Sequence, residues 1–381
     1  MLLPYNQSHP KVYNLLNSTG ADALVSAAGN LPLDALAEQC TNLRLLTWVV
    51  EKTSRHMDWN GVPDSAADRL KVSVWHDVVG ESKGSATANL PTNAEGAKPG
   101  DLISVWQPAD PNAKAEIVTF TQANMVSAIA ACISALPLRQ RFTPTDLVLP
   151  ADGFTHSYVL CQTFAALFTH ANLAINSVAG PGVDLTLASR SISPTVIIAS
   201  AETIASLYNK QAAGVTSFTQ KLGKYNHSSA LSSGRMPTDT LLFRLLAPST
   251  SAIGNPPGKL RLILTSDRVG AGSPALTSSM LSDLRMYTRA RICYALTAAT
   301  VAGAIAQTNV FDYRREEGSG CSQFGIPLSS VEVKLVASDD SKLGGNQPRG
   351  EIAVMGPAVS GGEVKLGVQG RVREDNTLAY A

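Results

Sequence analysis

The sequence lacks any run of basic residues interleaved with aromatic ones, and charged residues fill only 16% of its 381 positions. Its formal net charge is +1, so no part of the surface is expected to attract a polyanion. We therefore predict no nucleic-acid partner and no acidic membrane as a partner. Hydrophobic residues make up 44% of the chain, which is enough to bury a large core in about two or three lobes.

Long apolar runs are also missing. The longest, residues 125–136 and 298–306, are interrupted or shorter than the ~20 residues that cross a membrane. The N-terminus has no charged segment followed by an apolar one, as a signal peptide would have. These absences predict that the protein has no membrane span.

Cysteine and histidine are sparse and dispersed. The five cysteines are odd in number and contain no C-x-x-C pair, which favours buried reduced thiols over disulfides. None of the six histidines is spaced as a metal ligand. The sequence therefore predicts no metal site and a location in the cytoplasm or another reducing compartment inside the cell.

Residues 101–130 organise the rest of the chain. Their pattern predicts an apolar strand, a short polar loop, a second strand and a helix that starts near Thr121. This order is typical of a turn in which a glycine-rich backbone grips a phosphate group. The loop at 107–116, however, has no glycine and carries two carboxylates and one lysine. The frame of a nucleotide site is therefore predicted without its phosphate-binding groups.

Apolar strands alternate with helices along most of the chain, which predicts parallel sheets covered by helices on both faces. Residues 1–100 are interpreted as a partial first αβ subdomain, with a linker at 80–100. Residues 101–324 are interpreted as a second αβ subdomain, with a polar insertion at 210–258. Alternation after residue 325 predicts an antiparallel hairpin, so that 325–381 would form a small β-rich lobe.

Two local patterns belong to the second subdomain. Residues 300–307 predict a helix that follows the strand beginning at Arg291. The insertion is rich in Ser, Gly and Pro and contains a helical patch at 240–246. Its function cannot be read from its residues.

Several segments resemble, in the same order, those of adenylate-forming enzymes, the superfamily of acyl-CoA synthetases, fatty-acyl-AMP ligases and luciferases. They include KLRLILTSDRV, RICYALTAATVAGAIAQT and GIPLSSVEVKLV. The resemblance covers nearly the whole chain, and YALTAATVAGAIAQTNVFDYR favours the long-chain acyl-CoA synthetase branch. It implies the fold of the family's large N-terminal domain, with two parallel-sheet αβ subdomains and a small β-barrel. The chain is expected to begin inside the first subdomain and to stop at the family's hinge. It would then lack the small C-terminal lid, which carries a catalytic lysine in the family.

The resemblance implies roles for four residues. Tyr294 matches the aromatic residue that stacks on adenine, and Thr297 matches the threonine that faces the phosphates. His156 matches the histidine that gates the acyl pocket, and Phe164 lies on the apolar helix that follows. Each also has a plainer interpretation. Tyr294 and Thr297 could be strand residues, and His156 a satisfied histidine at a helix start. Phe164 could belong to the core, although the resemblance implies that part of its helix lines an acyl tunnel.

Five other positions depart from the family's motifs. Asp110 and Ala113 replace glycines of the phosphate loop, Glu116 replaces its lysine, Ala298 replaces a glutamate that helps to hold Mg²⁺, and Val368 replaces the ribose-binding aspartate. The turn at 265–268 also has no glycine. Each carboxylate facing a triphosphate at about 4 Å would repel it by ~4 kcal/mol per unit charge at an effective dielectric near 20. These substitutions predict a loss of ATP-dependent acyl adenylation.

Three hypotheses follow. In the first, the chain is a degenerate, catalytically silent acyl-CoA-synthetase-like domain with no expected cofactor. It would bind an acyl chain or a small carboxylic acid, or else a protein partner within a larger assembly. In the second, it is an active ATP- and Mg²⁺-dependent fatty acid ligase that forms an acyl-AMP and then an acyl-CoA thioester. In the third, it is a truncated gene product, and poor solubility would point to this.

Overall fold

The computed structural model describes residues 3, 7–50, 66, 68–82, 100–108, 114–176, 179–215, 218–236, 253–315, 320–337, 343–344 and 346–381. The chain divides into two compact units, one within Leu3–Pro99 and the other within Gly100–Ala381. Within the described ranges, no helix combines the length and the apolar character that a membrane crossing requires.

The N-terminal unit contains a three-stranded parallel sheet with β2 at its centre. Its elements are α1 His9–Thr19, β1 Ala23–Ala27, α2 Leu33–Gln39, β2 Leu45–Val49, β3 Lys71–Val74 and α3 Trp75–Ser82. Leu16 and Leu36 from the two first helices are buried with Leu46 and Trp48 from β2. The helix α1 ends at Gly20, whose φ of 66° is left-handed and suits glycine. The predicted alternation of strands and helices is confirmed here.

The C-terminal unit is built on a seven-stranded sheet of order β12-β11-β10-β9-β8-β6-β7. Its strands are β6 Leu147–Pro150, β7 Asn172–Leu173, β8 Val196–Ser200, β9 Leu262–Arg268, β10 Arg291–Thr297, β11 Ala306–Gln307 and β12 Ile326–Pro327. The five strands from β7 to β10 in this order are parallel, whereas β11 and β12 are antiparallel additions. All residues of β8 are buried, as expected for a strand covered on both faces.

A two-stranded hairpin precedes the first long helix of this unit. The hairpin strands are β4 Leu102–Trp106 and β5 Glu116–Phe120, and the helices are α4 Gln122–Ser134, α5 Ser157–Phe168, α6 Leu185–Ala188, α7 Ala201–Ala213, α8 Phe218–Ser232 and α9 Ser278–Thr288. The side chain of Thr121 accepts a hydrogen bond from the backbone N–H of Asn124 at 3.1 Å, and that of Asn124 accepts one from the backbone N–H of Thr121 at 2.9 Å. This reciprocal cap starts α4 where the sequence predicts it. Asn124 also donates to the carbonyl oxygen of Pro357 at 2.8 Å.

The end of the chain forms a four-stranded antiparallel sheet in the order β13-β14-β15-β16. Its strands are β13 Glu332–Val336, β14 Arg349–Met355, β15 Val364–Val372 and β16 Leu378–Tyr380. The pairing of β13 with β14 confirms the predicted hairpin. The α/β fold class, with two sheets that contain parallel strands and a closing β-rich lobe, is therefore confirmed.

Two predicted helices of the second subdomain differ in their outcome. The helix predicted at 300–307 is wrong, because this segment turns back and forms β11 against β10. Gly303 has a φ of 76°, which a helix cannot accommodate. A segment buried throughout except at Thr300 carries no periodicity that separates a helix from a strand. In the polar insertion at 210–258, the structure shows the helix α8, whereas the helical patch at 240–246 lies outside the described residues.

Candidate functional site

Four parallel strands of the large sheet, β6, β8, β9 and β10, end along one edge. Thr297 of β10 is in register with Arg268 of β9, and Ser200 of β8 is in register with Ser266. Ligands of open α/β sheets bind outside the carboxyl ends of the strands. Polar residues that end or follow these strands therefore lie at the edge where a ligand site is expected.

His156 is held by Asp152, which follows β6. The ring Nδ1 of His156 hydrogen-bonds to Oδ2 of Asp152, and Oδ1 of Asp152 accepts the backbone N–H of Gly153 at 2.7 Å. Burial lowers the pKa of His156 below its ordinary value; Asp152 opposes this change and Arg268 reinforces it. The neutral ring therefore keeps its proton on Nδ1 and leaves Nε2 as an acceptor.

Arg268, the last residue of β9, lies over the indole ring of Trp106. Its guanidinium carbon is 3.7 Å from the centre of that ring, within cation–π range. Burial lowers the pKa of Arg268 to about 10, although Asp152 and Glu202 both oppose the change. The ring of His156 lies 6.4 Å from that of Trp106. Trp106, His156 and Arg268 therefore lie close together, and Asp152 and Glu202 are near enough to attract the charge of Arg268.

Tyr294 is completely buried in β10. Its hydroxyl donates to Oδ2 of Asp267 at 3.2 Å and lies 3.3 Å from Sγ of Cys321. Its ring packs against Phe324 at 5.0 Å between centres, and Phe324 in turn packs edge-on against Tyr380 at 4.9 Å. A ring enclosed in this way offers no free face to a purine.

Asp267 also engages the other matched residue of this strand. The hydroxyl of Thr297 donates to the backbone carbonyl of Asp267 at 2.9 Å, and Thr297 is buried. Burial raises the pKa of Asp267 to about 6, against the hydrogen bonds from Tyr294 and from the backbone of Arg268. Ala298, directly after the strand, is buried as well and has no oxygen in its side chain for a cation.

The remaining predicted positions lie apart from this region or outside the described residues. Glu116 is exposed at the start of β5, in register with Trp106, whereas Asp110 and Ala113 lie outside the described residues. Val368 on β15 is partly buried against the core. Phe164 is eight residues from His156, about 12 Å along the helix axis, and its side chain is 41% exposed.

Sequence reasoning missed Trp106, Asp152, Glu202 and Arg268 as members of a site. Each of them ends or closely follows a strand that the sequence predicts, which is the signal that could have found them. Among the described residues, no group of three or more His, Cys, Asp or Glu side chains could hold a metal ion.

The arrangement of sheets and the closing β lobe is the fold of adenylate-forming acyl- and aryl-CoA ligases, which confirms the expectation from the sequence. One solved structure with this fold is the anthranilate CoA ligase AuaEII in complex with anthranoyl-AMP (TM-score 0.62, 12% identity, 99% of this chain and 62% of that chain). Another is the long-chain-fatty-acid-CoA ligase FadD1 from Archaeoglobus fulgidus (TM-score 0.60, 12% identity, 97% of this chain and 64% of that chain). The N-terminal domain of FACL13 from Mycobacterium tuberculosis also matches (TM-score 0.56, 12% identity, 94% and 80%).

The chain thus spans 62% of the length of AuaEII. No protein-family model matches the sequence, and no curated protein matches it. At 12% identity, the likeness establishes the fold and leaves the chemistry to the residues of the site.

Proposed function

We propose that this chain is a catalytically silent adenylate-forming domain that binds a carboxylic acid or a protein partner without activating an acid. The main support is the burial of Tyr294, whose ring is packed against Phe324 and whose hydroxyl is bonded to Asp267. For this ring to stack on adenine, β10 and the segment around Phe324 would have to separate. Such a separation would expose apolar surface at a cost of ~25 cal/mol per Å².

The charges at the sheet edge support the same proposal. Asp152, Glu202 and Asp267 place carboxylates there, each accepting a hydrogen bond from a neighbouring group. The turn expected at 265–268 is wrong, because these residues form the end of β9. The last of them, Arg268, covers Trp106. A triphosphate would meet carboxylates in a partly desolvated region, where repulsion is stronger than in water.

The direct test is titration of the whole chain with ATP·Mg²⁺ by isothermal calorimetry, followed by an assay for pyrophosphate release. We expect no saturable binding at micromolar nucleotide and no pyrophosphate with a panel of fatty and aromatic acids. Micromolar binding of ATP·Mg²⁺ would overturn the proposal. Acid-dependent pyrophosphate release would favour the alternative, an ATP-dependent acid ligase in which Tyr294 contacts adenine, Thr297 a phosphate and His156 the acid.

A protein-binding role has separate support on α5. The side chains of Phe164, Leu167 and Phe168 lie on one face of this helix and are 41%, 50% and 73% exposed. Clustered exposed apolar residues often mark interaction surfaces. If copies of the chain associate through this face, sedimentation at rising concentration will show a dimer that Phe168→Ser removes. The control is Phe218→Ser on α8, a side chain 79% exposed; a wild type that stays monomeric would exclude self-association.

A further inference from the structure

Arg268 combines an aromatic contact with a buried polar atom that has no partner. Its guanidinium stacks on Trp106, and its buried Nε has no hydrogen-bond partner. No carboxylate of the described residues forms an ion pair with it. Arginine carries five N–H donors, and a buried cation without a paired anion is costly.

The neighbouring acids are already engaged by other groups. Asp152 accepts from His156 and from the backbone of Gly153, and Oε1 of Glu202 accepts from Ser273 at 2.6 Å. They act on Arg268 only from a distance, and their attraction does not offset the burial that lowers its pKa to about 10. The charged guanidinium is therefore less stable here than in water, and a bound anion would relieve this.

Three other arginines also have a buried Nε without a hydrogen-bond partner. Arg371 lies on β15, outside the large sheet, and the other two have evident structural roles. Arg285 donates from Nη2 to the carbonyl of Ile292 at 3.1 Å and thus supports β10 from within the core. Arg291 begins β10, at the edge of the sheet opposite Arg268, and stands 5.5 Å over the ring of Phe311. Of these four arginines, Arg268 is the one at the carboxyl edge of the large sheet, where α/β sheets bind their ligands.

We propose that Arg268, held over the ring of Trp106, is the receptor for the carboxylate of a free monocarboxylic acid. A planar guanidinium can bind both carboxylate oxygens at once, and its stacking on an aromatic ring fixes its plane. The carboxylates of Asp152 and Glu202 disfavour ligands with several negative charges, which restricts the site to a monoanion. This inference rests on the acid-binding part of the proposed function and names the group that performs it.

The test compares matched charged and neutral probes by calorimetry: octanoate with octanamide, and benzoate with benzamide. We expect the wild type to bind at least one carboxylate about tenfold or more tightly than its amide, as a charge-assisted hydrogen-bonded pair implies. Inorganic phosphate is expected to bind more weakly than the carboxylate. This comparison uses only the wild-type protein, so its result does not depend on whether a variant folds.

Variants then assign the effect to one side chain. Arg268→Gln should abolish the preference for the carboxylate, and Arg268→Lys should retain only part of it, because an ammonium group lacks the planar fork. The matched control Arg291→Gln should bind as the wild type does. Equal binding of acid and amide, no binding of either acid, or an undiminished preference in a folded Arg268→Gln protein would each overturn the inference. Pyrophosphate release with a preference that depends on Arg268 would overturn the silent function and leave this inference standing.

Discussion

The hydroxyl of Tyr294 and the carboxylate of Asp267 are joined by a hydrogen bond of 3.2 Å across two parallel strands. Asp267 stands one residue before the end of β9, Tyr294 stands in the middle of β10, and both are buried. If Tyr294 moved to contact a ligand, this hydrogen bond would break. The buried carboxylate of Asp267 would then lose one hydrogen-bond donor. The pair therefore belongs to the core, and its contribution to the stability of the fold can be measured without any ligand.

Removing the hydroxyl should weaken the fold. In Tyr294→Phe, the ring still packs on Phe324 but Asp267 loses a donor, so we expect a loss of about 1–2 kcal/mol in the free energy of unfolding. Urea denaturation measures this loss. The control Tyr225→Phe removes a hydroxyl from a side chain that is 75% exposed and should change stability by less than about 0.5 kcal/mol. Equal stability of wild type and Tyr294→Phe would show that the bond is unimportant.

Asp267 should make stability depend on pH. Its pKa is 3.8 in a model compound and about 6 in the fold, so the folded state holds the proton more tightly. The resulting stabilisation is complete below pH 3.8 and is lost as the pH rises through about 6, by up to about 3 kcal/mol at 1.36 kcal/mol per pKa unit. Asp267→Asn remains neutral and should remove this loss.

The comparison requires urea denaturation at pH 4.5 and pH 7.5. Relative to the wild type, Asp267→Asn should gain stability at the higher pH, whereas the exposed Asp101→Asn should follow the wild type. A wild-type pH profile that Asp267→Asn leaves unchanged would exclude Asp267 as its source.

Arg261 and Asp146 pair at the opposite edge of the same sheet. Nε and Nη2 of Arg261 each donate to Asp146 at 2.7 Å. Burial raises the pKa of Asp146, but the hydrogen bonds from Arg261, Thr195 and Thr143 prevail and lower it to about 2. Because Asp146 is buried, Arg261→Ala should cost about 3 kcal/mol or more in the free energy of unfolding near pH 7.

The matched control for this pair is Lys210→Ala, which breaks an exposed ion pair with Asp184 and should cost less than about 1 kcal/mol. The stabilisation from Asp146 is present above pH 3.8 and is lost as the pH falls through about 2. Similar losses in Arg261→Ala and Lys210→Ala would contradict this assignment.

Gly325 should tolerate no side chain. A Cβ there would overlap the backbone carbonyl of Gln307 and lie 2.6 Å from Cα of Thr308. The φ angle is 80° at Gly325 and 79° at Gly270, where a Cβ would meet nothing within 4 Å. A comparison of the two positions therefore separates the destabilisation caused by a steric clash from that caused by backbone strain.

We expect Gly270→Ala to cost about 1–2 kcal/mol from the left-handed backbone alone, and Gly325→Ala to cost more than about 4 kcal/mol. Thermal and urea unfolding of the two variants provide the comparison. Comparable losses would mean that the segment around Gly325 can move away from β11.

The parts of the fold that sequence predicts best are those with a local cause. Thr121 and Asn124 form a capping box, and the helix α4 begins where they stand. The apolar strand β8 follows from a short run of hydrophobic residues. At 300–307, by contrast, every residue except Thr300 is buried. The conformation of this segment is therefore determined by its pairing with β10 and cannot be predicted from the segment alone.

The residues of the site were harder to predict from the sequence, because their roles also depend on contacts between separate segments. The motif around Tyr294 identifies the residue but does not predict that its side chain is buried. This burial depends on Phe324, which is 30 positions away. Asp152 lies four residues before His156, yet only the turn between β6 and α5 makes it the partner of the ring. Trp106 and Arg268 are 162 positions apart, and no local pattern predicts their stacking.

The hydrogen bond from Asn124 to Pro357, together with that from Ser360 to the carbonyl of Thr119 at 2.7 Å, also bears on the order of folding. These bonds join the end of β5 and the first turn of α4 to a segment more than 230 positions later. A ribosome must therefore synthesise the chain beyond residue 360 before the segment at the start of α4 acquires these partners. Contacts this distant in sequence slow folding, so refolding from denaturant should be slow, and the nascent chain would depend on protection from aggregation until its final strands emerge.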